Sequence, residues 1–270
     1  ARNDPQLQVL KFDTLNEHDE YNQPDSRVSQ NSTRQQNPKE KHEERVIAIT
    51  NALRSNTNIK VLDFKKCSLS AECTATIIAF IKTNNTIKEL NLYGTTIDEY
   101  MTKAATTLTS LLVTPFLSPL VALSETKNAT FALAELIRNN NTLEKLNIGY
   151  TGITSEDACI IFNALKYNTT LREVYMDSNH IRSYAKHSLA DLLSSTNLKV
   201  LSLSNNYLSD ELAIAIAPSI TQNSSMELLV LSGNHEIKES GKLALECATQ
   251  ANDHINIDLI GHNDASCVIM

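Results

Sequence analysis

The stretch Ile59-Lys60-Val61-Leu62-Asp63-Phe64-Lys65-Lys66-Cys67-Ser68-Leu69 decides the fold of this chain of 270 residues. Its apolar residues and its cysteine fit the pattern LxxLxLxx(N/C)xL at every fixed position. The pattern recurs, mostly at intervals of 28 residues, and a partial copy follows near Ile257. The full copies begin at Ile59, Ile87, Leu143, Leu171, Leu198 and Met226. Such a period predicts a stack of similar units, each burying its apolar face on its neighbours.

Each unit is predicted to begin with a short strand and to continue as a helix. Residues of a strand alternate between two faces, so Leu62 and Phe64 are predicted to point inward. At the ninth position, Asn179, Asn206 and Asn234 can turn their amides inward and bond backbone groups that the turn leaves unpaired. Other units carry side chains there that should bond less completely: Cys67, Thr95 and Thr151. The rest of each unit has helical apolar spacing.

The 28-residue unit with a full helix resembles the leucine-rich repeats of the ribonuclease-inhibitor class. The Ran GTPase-activating protein and the repeat domains of NOD-like receptors belong to this class. The resemblance covers about residues 43–263. It implies an α/β solenoid shaped like a horseshoe, with a parallel sheet on the concave face, helices on the convex face and about 7–8 repeats. It is specific for the fold and carries little information about function.

One period of the array departs from the pattern. Residues 115–120 lie where a unit should begin, and the copies on either side start 56 residues apart. Proline cannot donate a hydrogen bond within a sheet. We therefore expect a unit of normal length whose strand is short or distorted by Pro115 and Pro119.

The predicted helices end in polar runs rich in asparagine. Asparagine tolerates the left-handed conformation that closes many helices. Several runs also match the glycosylation signal N-x-S/T, which we interpret as a by-product of helix-ending chemistry. The runs lie at 84–86, 140–142, 168–170, 195–197 and 223–225.

The chain divides into four predicted parts. Residues 1–15 contain Leu7, Leu10 and Phe12, which fit either a strand capping the first repeat or a fragment of disordered tail. Residues 16–41 are polar and predict a flexible segment, because they can bury little surface. The leucine-rich repeat domain is expected at 42–263, starting with a helix near His42, and a tail follows at 264–270.

The composition argues against several classes of function. The formal net charge is −7, whereas proteins that follow phosphate backbones carry clustered positive charge. The sequence lacks a Gly-rich phosphate loop, a metal-ligand motif and a nucleophile motif. We therefore expect no nucleic-acid partner, no cofactor, no metal, no catalytic residue and no enzymatic activity. The alternative, implied by the resemblance to the Ran activator, is a GTPase-activating protein or another regulator of a small GTPase.

The cysteines indicate a reducing compartment and a lipidation signal. Four of them show no disulfide spacing and are expected to be small buried side chains, namely Cys67, Cys73, Cys159 and Cys247. The last four residues, Cys267 to Met270, have the form of a prenylation signal with a farnesyl preference. A prenyltransferase and a membrane are thus expected partners, with residence shared between cytoplasm and membrane because one lipid chain binds weakly. The alternative is an apolar tail packed on the final repeat.

The outward-facing strand residues form the candidate protein-binding surface. Three tyrosines lie there among carboxylates, and tyrosine buries interface area at low entropic cost. The acidic surroundings suggest a protein partner with a basic patch; the alternative is a solvated face with no partner. The predicted site residues are Asp63, Lys65, Glu89, Asn91, Tyr93, Lys145, Asn147, Tyr150, Glu173, Tyr175 and Asp177, with Ser202 and Ser204 beyond them.

The combination of a repeat module and a prenylation signal suggests a eukaryotic setting, because prenyl transfer is a eukaryotic activity. The chain is rich in Asn, Thr, Ile and Lys. We expect either a protist protein or an effector of an intracellular bacterium such as Legionella, with a slight preference for the effector. In both cases the expected role is a non-catalytic scaffold that holds a cellular or host protein on its concave face.

Overall fold

The computed structural model describes residues 6–12, 38–67, 69, 71–95 and 128–260. The strands in this part are β1 (Val9–Lys11), β2 (Val61–Asp63), β3 (Glu89–Asn91), β4 (Lys145–Asn147), β5 (Glu173–Tyr175), β6 (Val200–Ser202), β7 (Leu228–Val230) and β8 (Asn256–Asp258). The helices are α1 (Pro38–Ala52), α2 (Ala71–Thr83), α3 (Asn128–Asn139), α4 (Ser155–Tyr167), α5 (Lys186–Ser195), α6 (Asp210–Gln222) and α7 (Glu239–Ala251). Short 3-10 turns lie at Leu53–Ser55 and Ser183–Ala185.

All eight strands form one parallel sheet in which each strand pairs with the next in sequence. Equivalent residues of neighbouring repeats face each other: Leu62 lies opposite Leu90, and Leu201 lies opposite Leu229. A parallel connection requires a crossover, and here a helix supplies it in every repeat. The predicted α/β leucine-rich repeat solenoid is therefore confirmed.

The core is one apolar layer that runs between the sheet and the helices. The middle residue of each internal strand is almost fully buried, from Leu62 to Leu229. Each helix packs on the next helix along the chain. Because packed helices lie 8–10 Å apart whereas paired strands lie about 4.8 Å apart, such a stack curves with its sheet on the inside. The outward side chains of the sheet consequently line the concave face.

The expectation of a repeat with its own strand at Pro115 is wrong. Strand β3 pairs directly with β4, with Leu90 opposite Leu146, so the sheet has no position for a strand between them. Helix α3 supplies the crossover after β3 and packs on α2. The extra period therefore enlarges the connection between β3 and α3, much of which (residues 96–127) lies outside the described residues.

The N-terminal end contains a strand and a helix. Of the two alternatives for Leu7 to Phe12, the structure has the strand, β1, which pairs in parallel with β2. The ring of Phe12 stacks on Phe64 with centroids 4.4 Å apart. Helix α1 begins at Pro38, not near His42, so the end of the predicted flexible segment is helical. The rest of that segment, residues 16–37, lies outside the described residues.

The helices end differently from the predicted left-handed closure. Asn168 and Asn223 follow α4 and α6 in extended conformations, with φ of −81° and −72°. Their side chains end the helices instead: the Asn168 Oδ1 accepts from the amides of Thr170 and Leu171. Its Nδ2 donates to the carbonyls of Ile137 and Asn140 in the preceding repeat. We call these residues the helix-end asparagines: Asn56, Asn84, Asn140, Asn168, Asn223 and Asn252.

The ninth-position residues behave as predicted. The Asn179 amide accepts from the backbone amides of Thr151 and Ile153 and donates to the carbonyls of Ile148 and Met176. The hydroxyl of Thr151 donates only to Ile148 in its own repeat, apart from a long contact to Asn179. At the ninth position, asparagine thus forms hydrogen bonds between two repeats, whereas threonine bonds mainly within its own repeat.

The prediction of buried cysteines is confirmed in part. The Cys67 thiol is buried and donates to the carbonyl of Phe12 over 3.3 Å. Cys159 is half-buried, and Cys247 is exposed on α7, so the prediction is wrong for Cys247. Cys247 occupies the outer surface of an amphipathic helix, where apolar spacing alone did not distinguish it. The Cys73 side chain and Cys267 lie outside the described residues.

Candidate functional site

The predicted site residues divide into structural and accessible groups. Asp63, Asn91 and Asn147 end β2, β3 and β4, and each is less than a tenth exposed. Their Oδ1 atoms accept the backbone amides two residues ahead, those of Lys65, Tyr93 and Gly149, each at 3.0 Å. This bond satisfies the amide where the strand turns away. These three side chains therefore shape the turns and offer little surface to a partner.

Asp177 is also committed to the scaffold. Its Oδ1 accepts from the Ser204 backbone amide at 3.0 Å and from the hydroxyl of Ser202. Burial raises the pKa of the Asp177 carboxyl, and the bonds from Ser202 and Ser204 offset this in part. Asp177 thus joins its repeat to the next, and Ser202 is itself buried.

Two tyrosines and a lysine form the first accessible set on the concave face. The rings of Tyr93 and Tyr150 stack with centroids 6.2 Å apart. The Lys65 Nζ lies 5.5 Å from the centroid of Tyr93, within cation–π range. Of the two tyrosines, Tyr150 is the more accessible, with 65% of the residue exposed, whereas Tyr93 is half-buried.

The second accessible set lies beside it on β4 and β5. The Lys145 Nζ is 3.0 Å from Oε2 of Glu173 and 5.2 Å from the centroid of Tyr175. The Tyr175 hydroxyl donates to the same Glu173 oxygen over 2.9 Å. These contacts hold the Tyr175 ring in one orientation. We call Tyr93, Tyr150 and Tyr175 the aromatic row.

Tyr150 adopts an unusual backbone conformation. The turn after each strand from β2 to β7 contains a residue with positive φ at the same position: Lys66, Gly94, Tyr150, Ser178, Asn205 and Gly233. Tyr150 has φ of 52°. This left-handed conformation suits Gly and Asn and costs about 1–2 kcal/mol for most other residues. A bulky aromatic side chain at this position is therefore retained against a local energetic cost.

Gly149 is a site residue that the sequence analysis missed. A Cβ on Gly149 would lie 2.8 Å from the Tyr93 ring and 3.1 Å from the Asp177 carbonyl. The missing side chain lets the Tyr93 ring lie across the backbone of the next repeat. The signal in the sequence was a glycine where the other units carry a side chain on the concave face.

Glu89 is the predicted carboxylate best placed to meet a partner. It lies on β3 opposite Lys145 and is partly exposed. Among the described residues it forms no ion pair, since Lys145 pairs with Glu173. Three of the predicted carboxylates are less available to a partner, because Glu173 pairs with Lys145 and because Asp63 and Asp177 accept backbone amides of the scaffold.

Neither a cluster of metal ligands nor a membrane-spanning helix occurs in the described ranges. In residues 6–12, 38–67, 69, 71–95 and 128–260, no group of three or more His, Cys, Asp or Glu could hold a metal ion. None of the seven helices in those ranges combines the length and the apolar character needed to cross a bilayer.

Comparisons with known proteins agree with this architecture. Two models of the leucine-rich repeat match residues 139–158 and 197–218, each covering a strand and the start of its helix. The protein CARMIL of Dictyostelium discoideum is 25% identical over 196 residues, which cover 68% of this chain and 18% of that protein. The chain thus spans under a fifth of the length of this relative.

Solved structures resemble the chain only broadly. The tropomodulin C-terminal domain of Caenorhabditis elegans is 15% identical, with a TM-score of 0.44 over 50% of this chain and 84% of the other. Actin-binding site 2 of leiomodin-1 is 15% identical, with a TM-score of 0.40 over 81% and 91%. An internalin of Listeria monocytogenes is 17% identical, with a TM-score of 0.40 over 78% and 50%. These likenesses carry no functional argument; the matched repeats establish that the chain contains leucine-rich repeats and support a protein-interaction module.

Proposed function

We propose that the chain is a non-catalytic scaffold of the ribonuclease-inhibitor class of repeats, which binds a protein partner through the aromatic row on its concave face. The observation that carries the proposal is Tyr150, held at a φ of 52° with 65% of the residue exposed. Strained backbone conformations cluster at functional sites, and here the strained residue carries an exposed aromatic ring. A glycine or an asparagine would satisfy the turn at lower cost, as in the equivalent positions Gly233 and Asn205.

The arrangement of the row favours binding by preformed contacts. Tyr93 and Tyr175 are held by Lys65, Tyr150, Lys145 and Glu173, so little side-chain entropy is lost on association. Glu89 lies on β3 opposite Lys145, has no ion pair among the described residues and would accept a lysine or arginine of the partner. We therefore propose a partner with a basic patch, and we expect that patch to contact Glu89.

The test compares Tyr150→Gly and Glu89→Lys with the unmodified chain in quantitative capture of proteins from a eukaryotic lysate. Tyr150→Gly should not lower the free energy of unfolding, because glycine relieves the left-handed strain. A loss of capture by this variant therefore cannot be ascribed to misfolding. Both variants should capture less of the proteins that bind through the aromatic row. The affinity of these proteins for Tyr150→Gly should fall at least about tenfold.

The matched control is Tyr167→Ala. Tyr167 ends α4 on the opposite side of the repeat, is 61% exposed and carries a cation–π contact from Arg138 at 5.2 Å. Its removal should leave capture unchanged. The proposal would be contradicted if Tyr167→Ala lost the same proteins, or if Tyr150→Gly and Glu89→Lys both captured them in full.

We further propose that Cys267 accepts a farnesyl group from a prenyltransferase and brings the chain partly to membranes. The support is the residue pattern from Cys267 to Met270, which acts where Met270 is the carboxyl-terminal residue. Expression in eukaryotic cells should give an added isoprenoid mass and a membrane-bound fraction, both lost in Cys267→Ser. Membrane fractionation that is the same with and without the thiol would contradict it.

A further inference from the structure

A second group of aromatic and cationic side chains lies away from the aromatic row, at the rim where the strands lead into the helices. The guanidinium carbon of Arg182 lies 5.0 Å from the centroid of the Tyr207 ring. The His180 ring stacks against the same tyrosine with centroids 6.0 Å apart and planes 21° apart. Arg182 and Tyr207 also face each other in a parallel bridge between consecutive repeats. We call His180, Arg182 and Tyr207 the rim cluster.

The scaffold fixes these three residues and leaves their side chains accessible. Each follows a ninth-position asparagine by one to three residues, and backbone bonds hold the loops: Tyr207 donates to Ile181, and the Arg182 amide donates to the Ser155 hydroxyl. His180, Arg182 and Tyr207 are all exposed, Tyr207 by 49%. Tyr184, two residues further on, is 71% exposed. The rim thus presents aromatic surface on a rigid backbone.

The charge of Arg182 is not neutralised by the described part of the chain. Its guanidinium forms no ion pair there, although the chain as a whole is acidic. Three carboxylates from the first turns of α4 and α6 and from the loop before α7 have other partners. Asp157 bonds Thr154 and Thr130, Glu211 pairs with Lys186, and Glu236 pairs with Lys238.

We propose that the rim cluster binds a carboxylate in an acidic segment of a protein partner. A guanidinium that stacks on an aromatic face keeps its edge free, and that edge matches the two oxygens of a carboxylate. Tyr207 and His180 supply flat surface for the carbon chain of a glutamate. The rim cluster is cationic, whereas the site proposed around Glu89 is anionic, and the two sites share no residue.

The experiment titrates the ¹⁵N-labelled full chain with a blocked hexaglutamate peptide at low salt and follows the arginine Nε–Hε signals by NMR. The signal of Arg182 should shift with saturation, whereas blocked hexaglutamine should have no effect. Arg138, which has the same stacked contact with Tyr167 at 5.2 Å, is the internal control and should not shift. Equal shifts of Arg138 and Arg182, or no shift of Arg182, would overturn the proposal, as would an equal response to inorganic phosphate.

Variants test the same site by fluorescence anisotropy of the labelled peptide. Arg182→Gln should weaken binding at least about tenfold, since a charge-assisted bidentate contact is lost. Arg182→Lys should restore only part of the affinity, because an ammonium lacks the planar pair of donors. Arg138→Gln and Tyr150→Gly should bind like the unmodified chain. Full binding by Arg182→Gln, or the same loss in Arg138→Gln, excludes the rim cluster without bearing on the aromatic row.

Discussion

The repeats on the two sides of β4 share one backbone pattern but are joined by different side-chain bonds. From β5 onward, asparagine holds the ninth position, and Asn179, Asn206 and Asn234 each bond the preceding repeat. After β2, β3 and β4 the same position holds Cys67, Thr95 and Thr151. Among the described residues, the Thr95 hydroxyl bonds the carbonyl of Leu92, within its own repeat. Side-chain bonds from the ninth position therefore contribute less to cohesion between repeats in the N-terminal part, although the Cys67 thiol bonds the Phe12 carbonyl of the preceding unit.

The concave face shows the same division. Asp63, Asn91 and Asn147 bond amides two residues ahead in their own repeats. Asp177 instead bonds Ser202 and Ser204 of the next repeat, and Ser204 bonds Ser232 of the one after it. In a solenoid the interface terms between neighbours largely determine how far the array unfolds as one unit. Repeats whose strands pair in the same register can therefore differ in how strongly their side chains bind them to each other.

The largest expected effect is that of removing one asparagine from the C-terminal part. Asn179→Ala leaves buried amides and carbonyls of two repeats without partners, and each such group costs about 1–3 kcal/mol. We expect the free energy of unfolding in urea to fall by roughly 3–5 kcal/mol. Thr95→Ala, the control from the N-terminal part, should cost about 1 kcal/mol. Similar losses in the two variants would show that the ninth position contributes equally along the stack.

The reverse exchange should strengthen the weaker part. Thr151→Asn introduces an amide at a position where three later repeats already accommodate one, and it can reach the carbonyl of Leu92 in the preceding repeat. We expect a gain of about 1 kcal/mol in the free energy of unfolding and slower exchange of the amides of β3 and β4. A destabilised Thr151→Asn would mean that the turn after β4 is shaped around the smaller side chain.

The smallest expected effect concerns Asp177 and depends on pH. Its folded-state pKa is raised by burial, so the folded chain holds this proton more tightly than the unfolded chain. The contribution of the group to stability is present below its ordinary pKa and is lost as the pH rises through the raised value. Asp177→Asn, which keeps an acceptor for Ser204, should be more stable than the unmodified chain at pH 7. Thermal melts from pH 3 to 7 should show this difference shrinking toward acid; a constant difference would exclude titration of Asp177 as the cause.

The parts of the fold that repetition determines could be predicted from sequence. Leu62, Leu90 and Leu229 had to be buried, because strand alternation and the 28-residue period leave them no other place. The period misled at Pro115, since an insertion as long as one repeat keeps the flanking copies in phase. Only the pairing of β3 with β4 shows that this period adds no strand to the sheet between them.

The candidate site was less predictable, because it depends on the orientation of side chains at the ends of the strands and in the turns that follow. Alternation places Asn91 outward correctly but does not reveal that its amide folds back onto the Tyr93 backbone. The rim cluster was missed because His180, Arg182 and Tyr207 come from loops with no periodic signal of their own. By contrast, Gly94, Gly233 and Asn205 were visible hints of a left-handed turn, from which the strain at Tyr150 could have been inferred.

The helix-end asparagines have a consequence for how the chain can be made. Asn140, Asn168 and Asn223 each begin an N-x-S/T signal, and each is only 5% exposed in the folded solenoid. A sugar transferred to the Asn168 nitrogen during translocation would occupy the atom that bonds Ile137 and Asn140. The modified chain could not close that junction between repeats. Oligosaccharide attachment and completion of the stack are therefore mutually exclusive at these positions, and the order of the two events decides whether a secreted copy folds.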